Sequence, residues 1–305
     1  MLMSLAACGS TEQSKSVPED NSPLAQTARW LIKNTGEPAY GNIGGEWLML
    51  ALSRSGKMPE GWVDSYYASV EEYVKSCGGV LDAKRYTEYS RLILALTAIG
   101  KDPANVAGYD LLAPLGDFDQ TNFQGINGTA YALLALDSGD YEVPACPDGA
   151  YQASREEYVA VLLERQSESG GWGFMGSNNA DADGTVMILQ ALAAYKDDAL
   201  VAEAIDAALA MLSALQDEKG GFGDSCETVA QAIIALCELG VSLQDERFVK
   251  NGRSLSDRLM DFSTGEGAFS HAEGQSEANA MSTEQAFCAL TAMYLQQSGK
   301  GLYTM

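Results

Sequence analysis

The sequence predicts an all-α fold, a closed ring of paired helices in which one helix of each pair faces inward. Three observations carry that reading. The dipeptide Ala-Leu ends an apolar run six times, at Ala51-Leu52, Ala95-Leu96, Ala135-Leu136, Ala191-Leu192, Ala235-Leu236 and Ala289-Leu290. The copies recur at intervals of roughly 40 to 56 residues, the range in which tandem helical units repeat. Runs such as Thr185 to Leu192 and Thr283 to Leu290 are apolar over most positions, as suits helices buried on more than one side.

The partner helices follow from the segments in between. Gly61 to Cys77, Ser154 to Gln166 and Asp198 to Gln216 each carry a polar face, and in the last Glu203 and Asp206 interrupt an Ala/Leu stripe at helical spacing. One buried and one half-exposed helix per repeat give an inner and an outer ring of about six pairs. Alternation of period two is absent and the Gly-rich points fall at the junctions, so strands have almost nowhere to form.

Composition bounds the partners. The chain has 305 residues, of which 42 are acidic and 19 basic, for a formal charge of −23. Such a surface repels nucleic acid and anionic headgroups. No run of about eighteen apolar residues is present, so no spanning helix is expected. Leaving Cys8 aside, the five cysteines are odd in number and form no CxxC pair, which indicates neither a full disulfide framework nor a structural zinc site. Cys237 and Cys288 lie in apolar helical runs, where buried thiols are the norm.

The start of the chain reads differently. Leu5-Ala-Ala-Cys8-Gly9 resembles a bacterial lipobox, whose Cys is lipidated after signal cleavage, and a polar tether with Ser and Pro follows it. Only seven residues precede Cys8 and none is basic, so a full signal would start upstream. The expected layout is a partial lipoprotein signal over 1–8, a tether over 9–23 and the helical domain over 24–305.

The junctions carry a family resemblance. Gln166-Ser-Glu-Ser-Gly170-Gly-Trp172 fits the QxxxGxW pattern of squalene cyclase repeats, Gln216 to Phe222 is its Phe variant, and Glu266-Gly267-Ala-Phe269 is a weaker third copy. With the Ala-Leu runs, this resembles the terpenoid cyclase/protein prenyltransferase superfamily of α/α toroids. The layout is similar to bacterial surface proteins with prenyltransferase/squalene oxidase repeats, strongly in the second half and faintly in the first. The glycines supply positive φ for the chain reversal, a structural role that names a fold and not a reaction.

Site residues follow from the toroid the resemblance implies, whose inner helices surround a cavity. Counting nine residues back from each repeat Leu marks the rim at Ile43, Thr87, Asn127, Asp183, Glu227 and Met281. For Glu227, an acid at a helix start is explained by the helix dipole. Asp181-Ala-Asp183-Gly184 resembles the D-x-D-D run of class II terpene cyclases, which implies a catalytic pair with Asp183 as proton donor. Gly184 stands where that run has its last Asp, and Asp183 followed by Thr185 also suits a helix cap. Protein prenyltransferases imply a zinc held by Asp, Cys and His. Asp224 and Cys226 have a D-x-C spacing, but His271 lies outside the last inner helix, so no metal and no other cofactor is expected.

Aromatics gather toward the mouth: Tyr40, Trp47, Tyr86, Tyr89, Phe118, Phe123, Tyr131 and Trp172. Trp172 and Phe123 read as core, whereas Tyr40, Tyr86 and Tyr131 suit a ligand wall. The expected ligand-binding set is Tyr40, Tyr86, Asn127, Tyr131 and Glu227, with Cys8 lipidated. The sequence thus points to a lipid-anchored protein on the bacterial cell surface. Its toroid binds an apolar, isoprenoid or corrinoid-like molecule or a partner protein. The alternative is a cyclase or prenyltransferase-like enzyme using Asp183.

Overall fold

The computed structural model describes residues 20–41, 43–146, 148–173 and 179–305. The lipobox with Cys8, and the tether up to residue 19, lie outside the described residues. Six helices contain the six Ala-Leu pairs: α2 (Glu46–Ser55), α4 (Thr87–Ala98), α6 (Ile126–Ser138), α8 (Ala182–Leu192), α10 (Cys226–Leu239) and α12 (Ala280–Gln296). Each packs on the next and α12 packs on α2, so the ring closes. No helix of the described residues is long and apolar enough to cross a membrane.

The outer ring is α1 (Pro23–Asn34), α3 (Trp62–Ser76), α7 (Arg155–Glu164), α9 (Ala199–Leu215) and the short α11 (Leu255–Met260). α7, α9 and α11 pack on α6, α8 and α10, and α1 packs on α12. Because an outer segment carries the chain back between successive inner helices, the inner six run parallel and their N-terminal ends share one mouth. The helix ends match the sequence signals: Gly61 and Cys77 flank α3, Ser154 caps α7, and Asp198 and Gln216 bound α9.

Three expectations are corrected. The third pair has no long outer helix: between α4 and α6, Pro103, Pro114 and several glycines break the chain into short turns and the four-residue α5 (Phe118–Thr121). Phe123 is consequently not core but 61% exposed on such a turn, under the Lys84 ammonium. In addition, a small antiparallel hairpin, β1 (Ser263–Gly265) and β2 (Ala268–Phe269), forms in a chain whose pattern leaves strands almost no room.

That hairpin sits at the third junction copy and repeats the latch of the first. The Trp172 N–H donates to Thr185 Oγ1 at 3.0 Å, and the Phe269 N–H donates to Thr283 Oγ1, also at 3.0 Å. Gln166 Nε2 donates to Gly170 O and Ala204 O, and Gln216 Nε2 to Gly220 O and Phe248 O, so each Gln ties its turn to the following outer segment. Gly267 (φ +87°) seats the third turn on α1: a Cβ there would lie 2.4 Å from the Gln26 carbonyl carbon.

Candidate functional site

Within the inner helices, exposure isolates one layer. Five residues before each repeat Leu stand Trp47, Arg91, Tyr131, Met187, Gln231 and Gln285, all half-buried in helices whose neighbouring positions are mostly dry. These six face the lumen. Trp47 and Tyr131, on the non-adjacent helices α2 and α6, meet with ring centroids 6.1 Å apart. On the other side, Gln190 Nε2 donates to Gln231 Oε1 at 2.9 Å, and Gln231 Nε2 donates to Gln285 Oε1.

Three residues further along, the layer Leu50, Leu94, Leu134, Gln190, Ile234 and Cys288 is buried all round. The segment Gly299 to Met305 closes it from the far side. Tyr303, 4% exposed, donates its hydroxyl to Gln190 Oε1 at 2.7 Å. Arg54 binds the carbonyls of Gly301 and Thr304, and Glu238 accepts the Leu302 N–H. The lumen is therefore a cup with a floor. Seven residues of helix separate rim from floor, about 10 Å. Six helices with neighbours about 9 Å apart place opposite axes about 18 Å apart, which leaves an opening of about 8 Å. Beneath the floor a separate cavity of about 220 Å³ lies between Asp137, Gln190, Glu238 and Tyr303.

The rim holds the acids. Asp183 is exposed, and its Oδ1 accepts from Thr228 Oγ1 at 2.7 Å. The cap of α8 is Asp181, not Asp183: Asp181 Oδ1 accepts the Gly184 N–H at 2.7 Å. Nor is Glu227 the cap of α10, a role filled by Ser225. Instead Glu227 joins His271 Nδ1 at 2.7 Å and accepts the Ser282 hydroxyl.

Where α12 meets α2 the rim is pinned by two carboxylates that sequence reasoning missed. Glu46 and Glu284 are 3% and 4% exposed; Glu46 accepts the Gly41 N–H and Glu284 the Gly44 N–H, each at 2.8 Å. Burial raises both above the usual carboxylate range, Glu284 to about 7. Arg91 answers Glu46, with Nε 3.4 Å from it, and places Nη2 2.6 Å from Glu88. The available signal was a charged residue inside an apolar, buried run.

Of the ligand-binding set, Asn127, Tyr131 and Glu227 lie on lumen-facing positions at the rim and below it. Tyr40 lies against Tyr73 of outer helix α3, tilted at 30° with centroids 4.3 Å apart, and Tyr86 packs edge-on to Tyr89. Both stand outside the aromatic pair of the cup.

The zinc chemistry of the resemblance does not fit these residues. Cys226 is fully buried, its thiol pushed up by desolvation and its Sγ 3.9 Å from Ser282 O. Asp224 is engaged by the Glu273 N–H and Arg258, and His271 by Glu227. Among the described residues no three His, Cys, Asp or Glu side chains form a group that could hold a metal ion.

The family model of the prenyltransferase alpha-alpha toroid domain matches residues 129–303, from the first turn of α6 through Tyr303. The chain belongs to that family. A search of curated proteins finds no match. The matched part of the toroid contains all three junction copies and four of the six lumen-facing residues of the cup. Family membership settles the architecture of the toroid; its ligand or reaction has to be argued from the cup itself.

Proposed function

We propose that the protein is a ligand-binding toroid and that the cup is its binding site. The observation that carries this is the lumen-facing layer: a mixed aromatic and polar ring of half-buried side chains above a fully buried one. Pockets that hold small molecules combine an apolar wall with a few placed polar groups in the same way. An alkene-protonating acid must be shielded from water, and Asp183 stands exposed at the rim.

The occupants suggested by the sequence fit unequally. An isoprenoid chain would strip water from Gln231 and Gln285 without replacing it, at about 1–3 kcal/mol per unpaired group. A corrinoid-like molecule could pair with the amides but would rest on the rim, since its macrocycle exceeds an opening of about 8 Å. Incubating the purified protein with squalene or farnesyl diphosphate should yield no product. A cyclised or transferred product that Asp183→Asn abolishes would replace the receptor by the enzyme.

The lipobox-like Leu5 to Gly9 supports display of this toroid on the bacterial surface by a lipid anchor. Expressed with an upstream signal, the chain should partition into detergent, and Cys8→Ala should release it. Equal partition of the two forms would remove the anchor.

A further inference from the structure

We propose that the cup takes a neutral saccharide ring, an inference that rests on the reading of the cup as a binding site. A pyranose has C–H faces that stack on aromatic rings and an edge of vicinal hydroxyls that both donate and accept hydrogen bonds. The cup offers a surface for each.

The apolar side is the pair Trp47 and Tyr131, tilted at 49° to one another with centroids 6.1 Å apart. Facing it is a one-way chain of amides. Tyr303 donates to Gln190, Gln190 to Gln231 and Gln231 to Gln285. The chain starts in the floor and ends at the amide nitrogen of half-buried Gln285, which has no hydrogen-bond partner among the described residues. Each link polarises the next, so the last donor is strengthened for a hydroxyl oxygen. A planar amide also pairs with adjacent hydroxyls through its oxygen and its nitrogen. At the rim, Asp183 and Glu227 can accept from hydroxyls further out.

Charge argues for a neutral guest. An anion would meet Glu46, Glu88, Glu284, Asp183 and Glu227, while the single cation of the layer, Arg91, is already matched by Glu46 and Glu88. A cation would be held at the rim acids, because the amide chain below them ends on a donor. A single six-membered ring fits an opening of about 8 Å, and longer oligosaccharides can extend past the rim.

Isothermal titration of the full chain with neutral mono- and disaccharides (maltose, cellobiose and chitobiose among them) tests this, with farnesol and cobinamide as counter-probes. A saccharide should bind with a Kd between about 10 μM and 1 mM. Gln231→Leu and Trp47→Ala should each weaken it at least about tenfold in protein that remains folded, while Trp47→Phe retains most of it. Should Gln231→Leu prove unstable, Gln285→Leu removes the terminal donor instead. Binding of farnesol or cobinamide but no saccharide would overturn this proposal and leave the receptor standing. Binding of none of the three classes by folded protein would overturn both.

Discussion

Thermal stability should be greatest near pH 5 and fall by roughly 5–8 °C by about pH 8. The cause is two acids with raised values, Glu284 and Glu238, each pushed up to about 7 chiefly by burial. In the unfolded chain each returns to about 4.3, so between the two values the folded protein binds protons that the unfolded one releases. Stability from such a group is fully present below the unfolded value and is lost as pH rises through the folded one. A tenfold difference in proton affinity between the folded and unfolded chain is worth about 1.4 kcal/mol, which gives about 2–3 kcal/mol for Glu284. Glu238 contributes less, because it borders the cavity beneath the floor and keeps some contact with it. Glu46 and Asp137, also raised by burial, act in the same direction.

Opposing groups matter only in acid. Asp82 and Asp245 are lowered to about 2 by hydrogen bonds, and Asp217, Asp257 and Glu273 are lowered too. All of these are lightly buried or exposed, and their stabilisation disappears as pH falls toward their folded values. The net charge of −23 adds self-repulsion that also grows with pH. Glu284→Gln separates the two causes, since it removes the buried titration while the surface keeps its charge. Calorimetry should show roughly half of the pH 5 to pH 8 decline gone in that variant. A wild-type profile that is flat or rises over this range would contradict the raised values.

The ring was legible because its signal is repeated. Each Ala-Leu pair lies in a helix that must be dry on several sides, and few other arrangements tolerate six such helices. Caps were legible where a single side chain does the work, as at Ser154 and Asp198. At α8 the motif points to the right turn but the wrong residue, since Asp181 and Asp183 are both able to cap and only backbone direction decides. The missing third outer helix could have been read from Pro103 and Pro114.

The site was less legible, for a geometric reason. Counting nine residues back from the repeat Leu finds the rim, where Ile43, Asp183 and Met281 are exposed and Thr87, Asn127 and Glu227 half-buried. Counting five finds the cup, and Trp47, Arg91, Tyr131, Met187, Gln231 and Gln285 share nothing in chemistry that marks them as one layer. Their common feature is partial exposure within dry helices, which exists only once the ring is closed. Glu46 and Glu284 stayed hidden for a related reason: their partners, the N–H groups of Gly41 and Gly44, belong to a loop whose placement depends on α12 meeting α2.

The central claim is that the lumen is open down to the layer of Met187 and sealed at the layer of Cys288. Thiol labelling with a water-soluble reagent tests it most directly, in a background where Cys8, Cys77 and Cys146 are replaced by Ser and Met187 by Cys. Cys226, Cys237 and Cys288 are buried, and desolvation pushes all three thiols up, so they should stay silent in the folded protein. The new thiol, half-exposed in the cup one turn above the floor, should react at least about 100-fold faster than Cys288. Labelling of Met187→Cys as slow as that of Cys288 would show a filled lumen and contradict the cup.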